Sequence, residues 1–147
     1  MVGANQYNYD STVIHELMHA YGFLSTVASA GNNSDPNEPW STFDEFITNS
    51  SLTPAVDPTT YKWNNTFDPN LTGGDNGLYF YGPNEALAFG GKPVPLYTPP
   101  AEWAQGSSVS HLNDAYFDVT DNPPADPRYI KLMNANDPKG QGAPPPI

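Results

Sequence analysis

The feature that most limits how this chain folds is one segment of clear helical periodicity, from about Asp10 to Leu24. Asp10 or Ser11 is suited to cap its N-terminus, because side-chain oxygens accept hydrogen bonds from backbone N–H groups without a partner in the first turn. Gly22 offers an exit at the other end, since glycine adopts positive φ without strain. An apolar stripe at helical spacing is formed by Val13, Leu17, Ala20 and Leu24.

Two histidines lie four residues apart in this segment, in the sequence His15-Glu16-Leu17-Met18-His19. Residues at that spacing project to one side of a helix, so both imidazoles can reach one metal ion at about 2.0–2.1 Å. Glu16 then lies beside the metal without binding it, where it can take a proton from an activated water. The spacing predicts a zinc site on the face opposite the apolar stripe, with the stripe packed against the rest of the protein.

The remainder of the chain predicts little regular structure, because 17 prolines and 12 glycines interrupt its 147 residues. A short helix is predicted over residues 42–49. Strand-like pieces follow over residues 78–81 and 94–97, around a turn at Gly90-Gly91. We therefore expect an α+β fold with one active-site helix, short strands and long irregular loops.

Charge and composition restrict the partners of the chain. Sixteen acidic residues against five basic ones give a formal net charge of -11, which repels phosphate backbones and argues against nucleic acid. No apolar run approaches the length of a membrane span. The chain has no cysteine for disulfides or thiol chemistry. No signal peptide is recognisable, but the Asn/Gly/Pro/Thr-rich, lysine-poor composition resembles that of secreted proteins, so we expect an extracellular location.

A catalytic zinc takes three protein ligands and keeps a fourth position open. Besides the two helix histidines the chain contains one other, His111, within Gly106-Ser107-Ser108-Val109-Ser110-His111-Leu112. The run of small polar residues before His111 suits a loop that brings a side chain to a fixed point. His111 is therefore a candidate third ligand.

These motifs together resemble a known family of zinc peptidases. The pattern His15-Glu16-x-x-His19-x-x-Gly22-Phe23, the downstream Gly106–Leu112 block and Leu132-Met133 resemble the leishmanolysin-like branch of the metzincins. They resemble still more closely a group of secreted microbial metallopeptidases. The compact metzincin pattern has its third ligand three residues after the glycine, where this chain has Ser25.

The resemblance implies a role for each matching residue. His15, His19 and His111 would bind zinc, Glu16 would be the general base, and Met133 would lie in a turn beneath the metal. It implies a zinc endopeptidase that acts on protein or peptide substrates. It indicates nothing about the oligomeric state.

The resemblance also implies boundaries, with a catalytic core over residues 1–135 and a Gly/Pro-rich tail over 136–147. Family members have a twisted sheet before the active-site helix and a further helix after the methionine turn. Only 14 residues precede His15 and only 14 follow Met133. We therefore expect a core truncated at both ends, as part of a longer protein.

Two other interpretations stay open. One is a peptidase resembling the gluzincins, with Glu45 as the third ligand in place of His111. The other is a non-catalytic, zinc-stabilised interaction or adhesion domain in which the metal is structural. Glu16 separates the second interpretation from an enzyme, because a structural site has no use for an unligated base at that position.

Overall fold

The computed structural model describes residues 9–29 and 40–113. The predicted turn at Met133 and the tail over 136–147 lie outside these ranges. The helices of the described part are α1 (Tyr9–Ala20) and α2 (Pro83–Ala88), and the strands are β1 (Ile47–Thr48), β2 (Tyr79–Phe80) and β3 (Val94–Pro95). Three 3-10 helices occupy Asp44–Phe46, Asn65–Thr72 and Gly74–Asn76.

The three strands form one small antiparallel sheet in the order β1-β2-β3. Phe80 is paired with Ile47 on one side and with Val94 on the other. After β3 the chain returns along the same edge, where Leu96 and Leu112 form an antiparallel bridge. This mixture of helices and a small antiparallel sheet is compatible with the predicted α+β class.

Apolar side chains from the sheet and the loops around it form the core. Phe43 and Phe80 stack with ring centroids 4.4 Å apart, and Phe23 meets Phe43 edge to face at 5.0 Å. These aromatic contacts attach the chain that follows α1 to the sheet. The largest fully buried apolar side chains are Ile47, Leu71, Leu78, Leu96 and Val109. No helix within the described ranges is long and apolar enough to span a membrane.

The predicted elements agree with the structure in part. Both strand-like pieces are present and pair as β2 and β3. The prediction of a helix over 42–49 is wrong in its second half, because Ile47 pairs with Phe80 and continues the chain as β1. Helix α2, which separates β2 from β3, was not predicted, and Pro83 starts it in the first turn, where a missing N–H costs nothing.

The prediction that α1 packs through its apolar stripe is wrong. Val13 is 37% exposed, Leu17 45% and Leu24 45%, whereas His15 on the other face is only 3% exposed. Met18 is the residue of α1 that packs against the core. The histidine face turns inward instead, where Nε2 of His15 lies 3.2 Å from that of His111 beside the sheet.

Candidate metal centre

Helix α1 carries two of the histidines and ends in a turn that fixes the second. The N–H of Gly22 donates to the carbonyl of His19 at 3.0 Å, and the N–H of Phe23 donates to that of Met18 at 3.0 Å. Gly22 has φ +106°, so the pattern is a Schellman motif with glycine at its left-handed position. The turn brings the Phe23 carbonyl back over α1, where it lies 2.7 Å from Nδ1 of His19.

The third histidine is placed by the edge of the sheet. The N–H of Tyr97 donates to the carbonyl of His111 at 2.8 Å, and the N–H of Val109 donates to the carbonyl of Tyr97 at 2.8 Å. Val109 is fully buried and has φ +66°, a strained conformation for a β-branched residue. Pairing with the strand continuation therefore fixes both the position and the direction of His111.

The serines before His111 each make a different contact. The Ser107 carbonyl lies 3.1 Å from Nδ1 of His111. The Ser108 hydroxyl accepts from the N–H of Ala104 at 3.0 Å and closes the turn. The Ser110 hydroxyl accepts from the N–H of Ser25 at 3.2 Å, which attaches the loop to the chain after α1.

The three histidines meet through their Nε2 atoms. Nε2 of His15 lies 3.1 Å from that of His19 and 3.2 Å from that of His111. Two nitrogens that bind a tetrahedral zinc at about 2.0–2.1 Å lie roughly 3.3 Å apart. Both measured Nε2–Nε2 distances are close to that value. Of the His, Cys, Asp and Glu side chains in the described ranges, these three form the group able to hold a metal, and it contains no carboxylate.

The hydrogen bonds on the far side of two rings fix their tautomers. A carbonyl oxygen only accepts, so Nδ1 of His19 and Nδ1 of His111 carry the protons that face Phe23 and Ser107. In its neutral form, each of these rings then has its lone pair at Nε2. His15 has at most one Nε2 proton, which serves one of its two neighbours. A cation at the centre satisfies all three nitrogens, so the donor set fits a metal.

Burial keeps His111 in the state that binds metal. Its side chain is 7% exposed, and loss of solvation lowers the pKa of its imidazole from 6.5 to about 4. The hydrogen bond to Ser107 opposes this shift, and the nearby His19 and His15 add to it. His111 is therefore neutral at pH 7, with a lone pair available to a metal ion.

The other candidate residues lie around this centre. Glu16 is exposed, and its carboxylate lies near enough to raise the pKa of His111, the weakest of the contributions. Glu45 is exposed in the 3-10 helix Asp44–Phe46 and does not join the three histidines. Ser25 does not reach the histidines with its hydroxyl, which donates to Asp44 at 2.6 Å.

A cavity of about 650 Å³ opens beside the centre. It lies between the C-terminal end of α1 and the segments before β1 and after β2. Its walls include the rings of His19, Phe23, Phe43, Phe46 and Phe80 and the carboxylate of Glu85.

Several groups that hold the histidines were not identified from the sequence. The carbonyls of Phe23 and Ser107 are backbone groups, which no side-chain pattern reveals. Asp44 looks like an exposed helix acid in the sequence but is fully buried. The one signal in the sequence for these surroundings was the serine run before His111.

Comparisons of the chain with protein-family models, with curated proteins and with solved structures give no match.

Proposed function

We propose that the chain is the catalytic part of a zinc-dependent endopeptidase of the metzincin type, with His15, His19 and His111 as metal ligands. One observation carries the proposal. Nε2 of His15 lies 3.1 Å from that of His19 and 3.2 Å from that of His111, and backbone carbonyls lie at hydrogen-bond distance from the far Nδ1 atoms of His19 and His111. Zinc is the metal that a site of three imidazoles with an open fourth position most often holds in hydrolases.

When bound, zinc lowers the pKa of water at the open position and polarises the scissile carbonyl. The residues of the chain perform the remaining steps. The carbonyls of Phe23 and Ser107 orient two of the imidazoles and raise their basicity as ligands. Glu16 takes a proton from the attacking water and delivers it to the leaving amine.

The surroundings of the centre support a peptide as substrate. Glu16 is exposed at the centre, so it is open to a substrate in solution. The aromatic cavity beside His19 has room for an apolar side chain of that substrate. A net charge of -11 disfavours strongly acidic substrates. The composition supports a secreted enzyme.

Zinc content is the first test. Dialysis against zinc followed by elemental analysis should give one zinc per wild-type chain. His111→Ala should weaken binding by orders of magnitude, because two imidazoles remain of three. Glu45→Gln is the matched control and should bind as the wild type does. Equal binding by wild type and His111→Ala, with loss in Glu45→Gln, would favour Glu45 as the third ligand.

Hydrolysis is the second test, and Glu16→Gln is its variant. This amide keeps the size of the side chain but cannot accept the proton from water. We expect zinc content to stay at one per chain while cleavage of an unstructured protein such as casein falls by at least 100-fold. Zinc binding without any hydrolysis in the wild type would instead support the non-catalytic, zinc-stabilised domain.

A further inference from the structure

Asp44 is a fully buried carboxylate at the start of the 3-10 helix before β1. Its Oδ1 accepts from the Ser25 hydroxyl at 2.6 Å. Its Oδ2 accepts from the N–H of Thr26 at 3.1 Å, the Thr26 hydroxyl at 2.6 Å and the N–H of Ser41 at 3.0 Å. The Ser41 hydroxyl lies 2.8 Å from the same oxygen and 3.1 Å from the Leu24 carbonyl, so its one proton is donated to one of these two acceptors.

These contacts are costly to build for stability alone. A carboxylate taken out of water loses its solvation, which only a full set of hydrogen bonds offsets. The donors around Asp44 provide that set, and three of the four fixed ones come from residues 25–26. An apolar side chain would fill the space at less cost, but it would not fix the direction of the chain that follows α1.

The segment that Asp44 holds, residues 23–26, connects His19 with the loop of His111. At one end, the carbonyl of Phe23 orients His19 at 2.7 Å. At the other end, the N–H of Ser25 donates to the hydroxyl of Ser110 at 3.2 Å, one residue before His111. Ser25 therefore uses its hydroxyl on Asp44 and its backbone on the loop of the third ligand.

We propose that Asp44 is a positioning residue for the metal centre, which sets the distance between His19 and His111 by fixing segment 23–26 between them. The inference rests on the proposed zinc binding. Asp44 itself touches neither the metal nor the substrate. It acts through the Ser25 N–H and the Phe23 carbonyl, so its loss moves two ligands relative to the third.

Zinc affinity of Asp44→Asn tests this directly. The amide keeps the size of the side chain but turns one acceptor into a donor that faces other donors. We expect roughly tenfold weaker zinc binding, the lower end of what loss of an outer hydrogen-bond partner costs. The matched control is Asp68→Asn, since Asp68 accepts from the Trp63 indole at 2.8 Å and forms no hydrogen bond with segment 23–26 among the described residues.

Coupling between two variants separates positioning from general loosening of the fold. Ser110→Ala removes the acceptor of the Ser25 N–H without touching Asp44. If Asp44 and Ser110 both act through Ser25, the zinc affinity of the double variant should be only slightly lower than that of the single variant with the lower affinity. Independent losses that multiply, or an Asp44→Asn affinity equal to that of Asp68→Asn, would overturn the proposal.

The proposal can still be tested if Asp44→Asn does not fold or if the wild type binds no zinc. If Asp44→Asn does not fold, Ser25→Ala takes its place, and unchanged zinc affinity in that variant would refute the proposal. If the wild type binds no zinc, the proposed function fails, and hydrogen exchange of the metal-free protein still tests Asp44. The Ser25 amide should then exchange at least tenfold faster in Asp44→Asn than in Asp68→Asn, and equal rates would overturn the inference.

Discussion

At the residue scale, the centre depends on which nitrogen of each ring carries a proton. Backbone carbonyls accept the Nδ1 protons of His19 and His111, so the neutral form of each ring has its lone pair at Nε2. Burial keeps the pKa of His111 at about 4, so its ring is already neutral at pH 7. The folded chain thus prepares these rings before any metal arrives.

The lowered pKa of His111 predicts that the metal-free protein loses stability in mild acid. Above pH 6.5 the ring is neutral in both the folded and the unfolded chain. Between pH 6.5 and about 4 the imidazole of His111 is protonated in the unfolded chain but stays neutral in the folded chain. The free energy of unfolding therefore falls as the pH falls. At pH 5 this residue should lower it by about 1–2 kcal/mol relative to pH 7.

Urea unfolding in the presence of EDTA at pH 7 and pH 5 measures this loss. His111→Gln is the control, because its side chain does not titrate in this range. The wild type should lose more stability than His111→Gln between the two pH values. The same loss in both proteins would mean that His111 does not titrate with a lowered pKa.

At the element scale, the turn that ends α1 contributes more to the position of His19 than the length of the helix does. Gly22 has φ +106°, and an added Cβ would meet nothing within 4 Å. Gly22→Ala should therefore cost about 1–2 kcal/mol through backbone strain alone. Because the turn delivers the Phe23 carbonyl to His19, zinc affinity should fall together with stability.

Thermal unfolding and zinc titration of Gly22→Ala check this prediction. Gly91→Ala is the matched control, since Gly91 also has positive φ (+80°) and open space around it but lies at the end of α2. It should lose similar stability and keep its zinc affinity. Full zinc affinity in Gly22→Ala would show that the turn does not position His19.

The orientation of α1 gives a second prediction at this scale. Leu17 is 45% exposed, whereas Leu78 is 1% exposed in the core. Leu17→Ala should change the free energy of unfolding by less than about 1 kcal/mol, since alanine also favours helix. Leu78→Ala should cost about 2–5 kcal/mol. Comparable losses in urea unfolding would mean that α1 packs through its apolar stripe after all.

At the scale of the whole molecule, the sequence predicted which histidines lie together better than it predicted their surroundings. The spacing of His15 and His19 determines their common face locally, and His111 was the one other histidine. The side on which α1 packs depends on where the sheet brings His111, which no local period encodes. The burial of Asp44 depends on donors from residues 25–26 and 41. The tertiary fold brings the segment after α1 to Asp44, so residue spacing could not reveal this contact.

The long sequence separation between His15 and His111 predicts how metal binding affects stability. His15 and His111 are 96 positions apart, so a metal ion held by both would join α1 to the sheet edge and would bind the folded chain but not the unfolded one. Zinc at 100 times its dissociation constant should add about 2.7 kcal/mol to the free energy of unfolding. Urea unfolding with zinc or with EDTA measures this gain. Glu16→Gln should keep it, since Glu16 is not a ligand, and His111→Ala should lose most of it. An equal gain in His111→Ala would place the metal outside the group of three imidazoles and would contradict the proposed site.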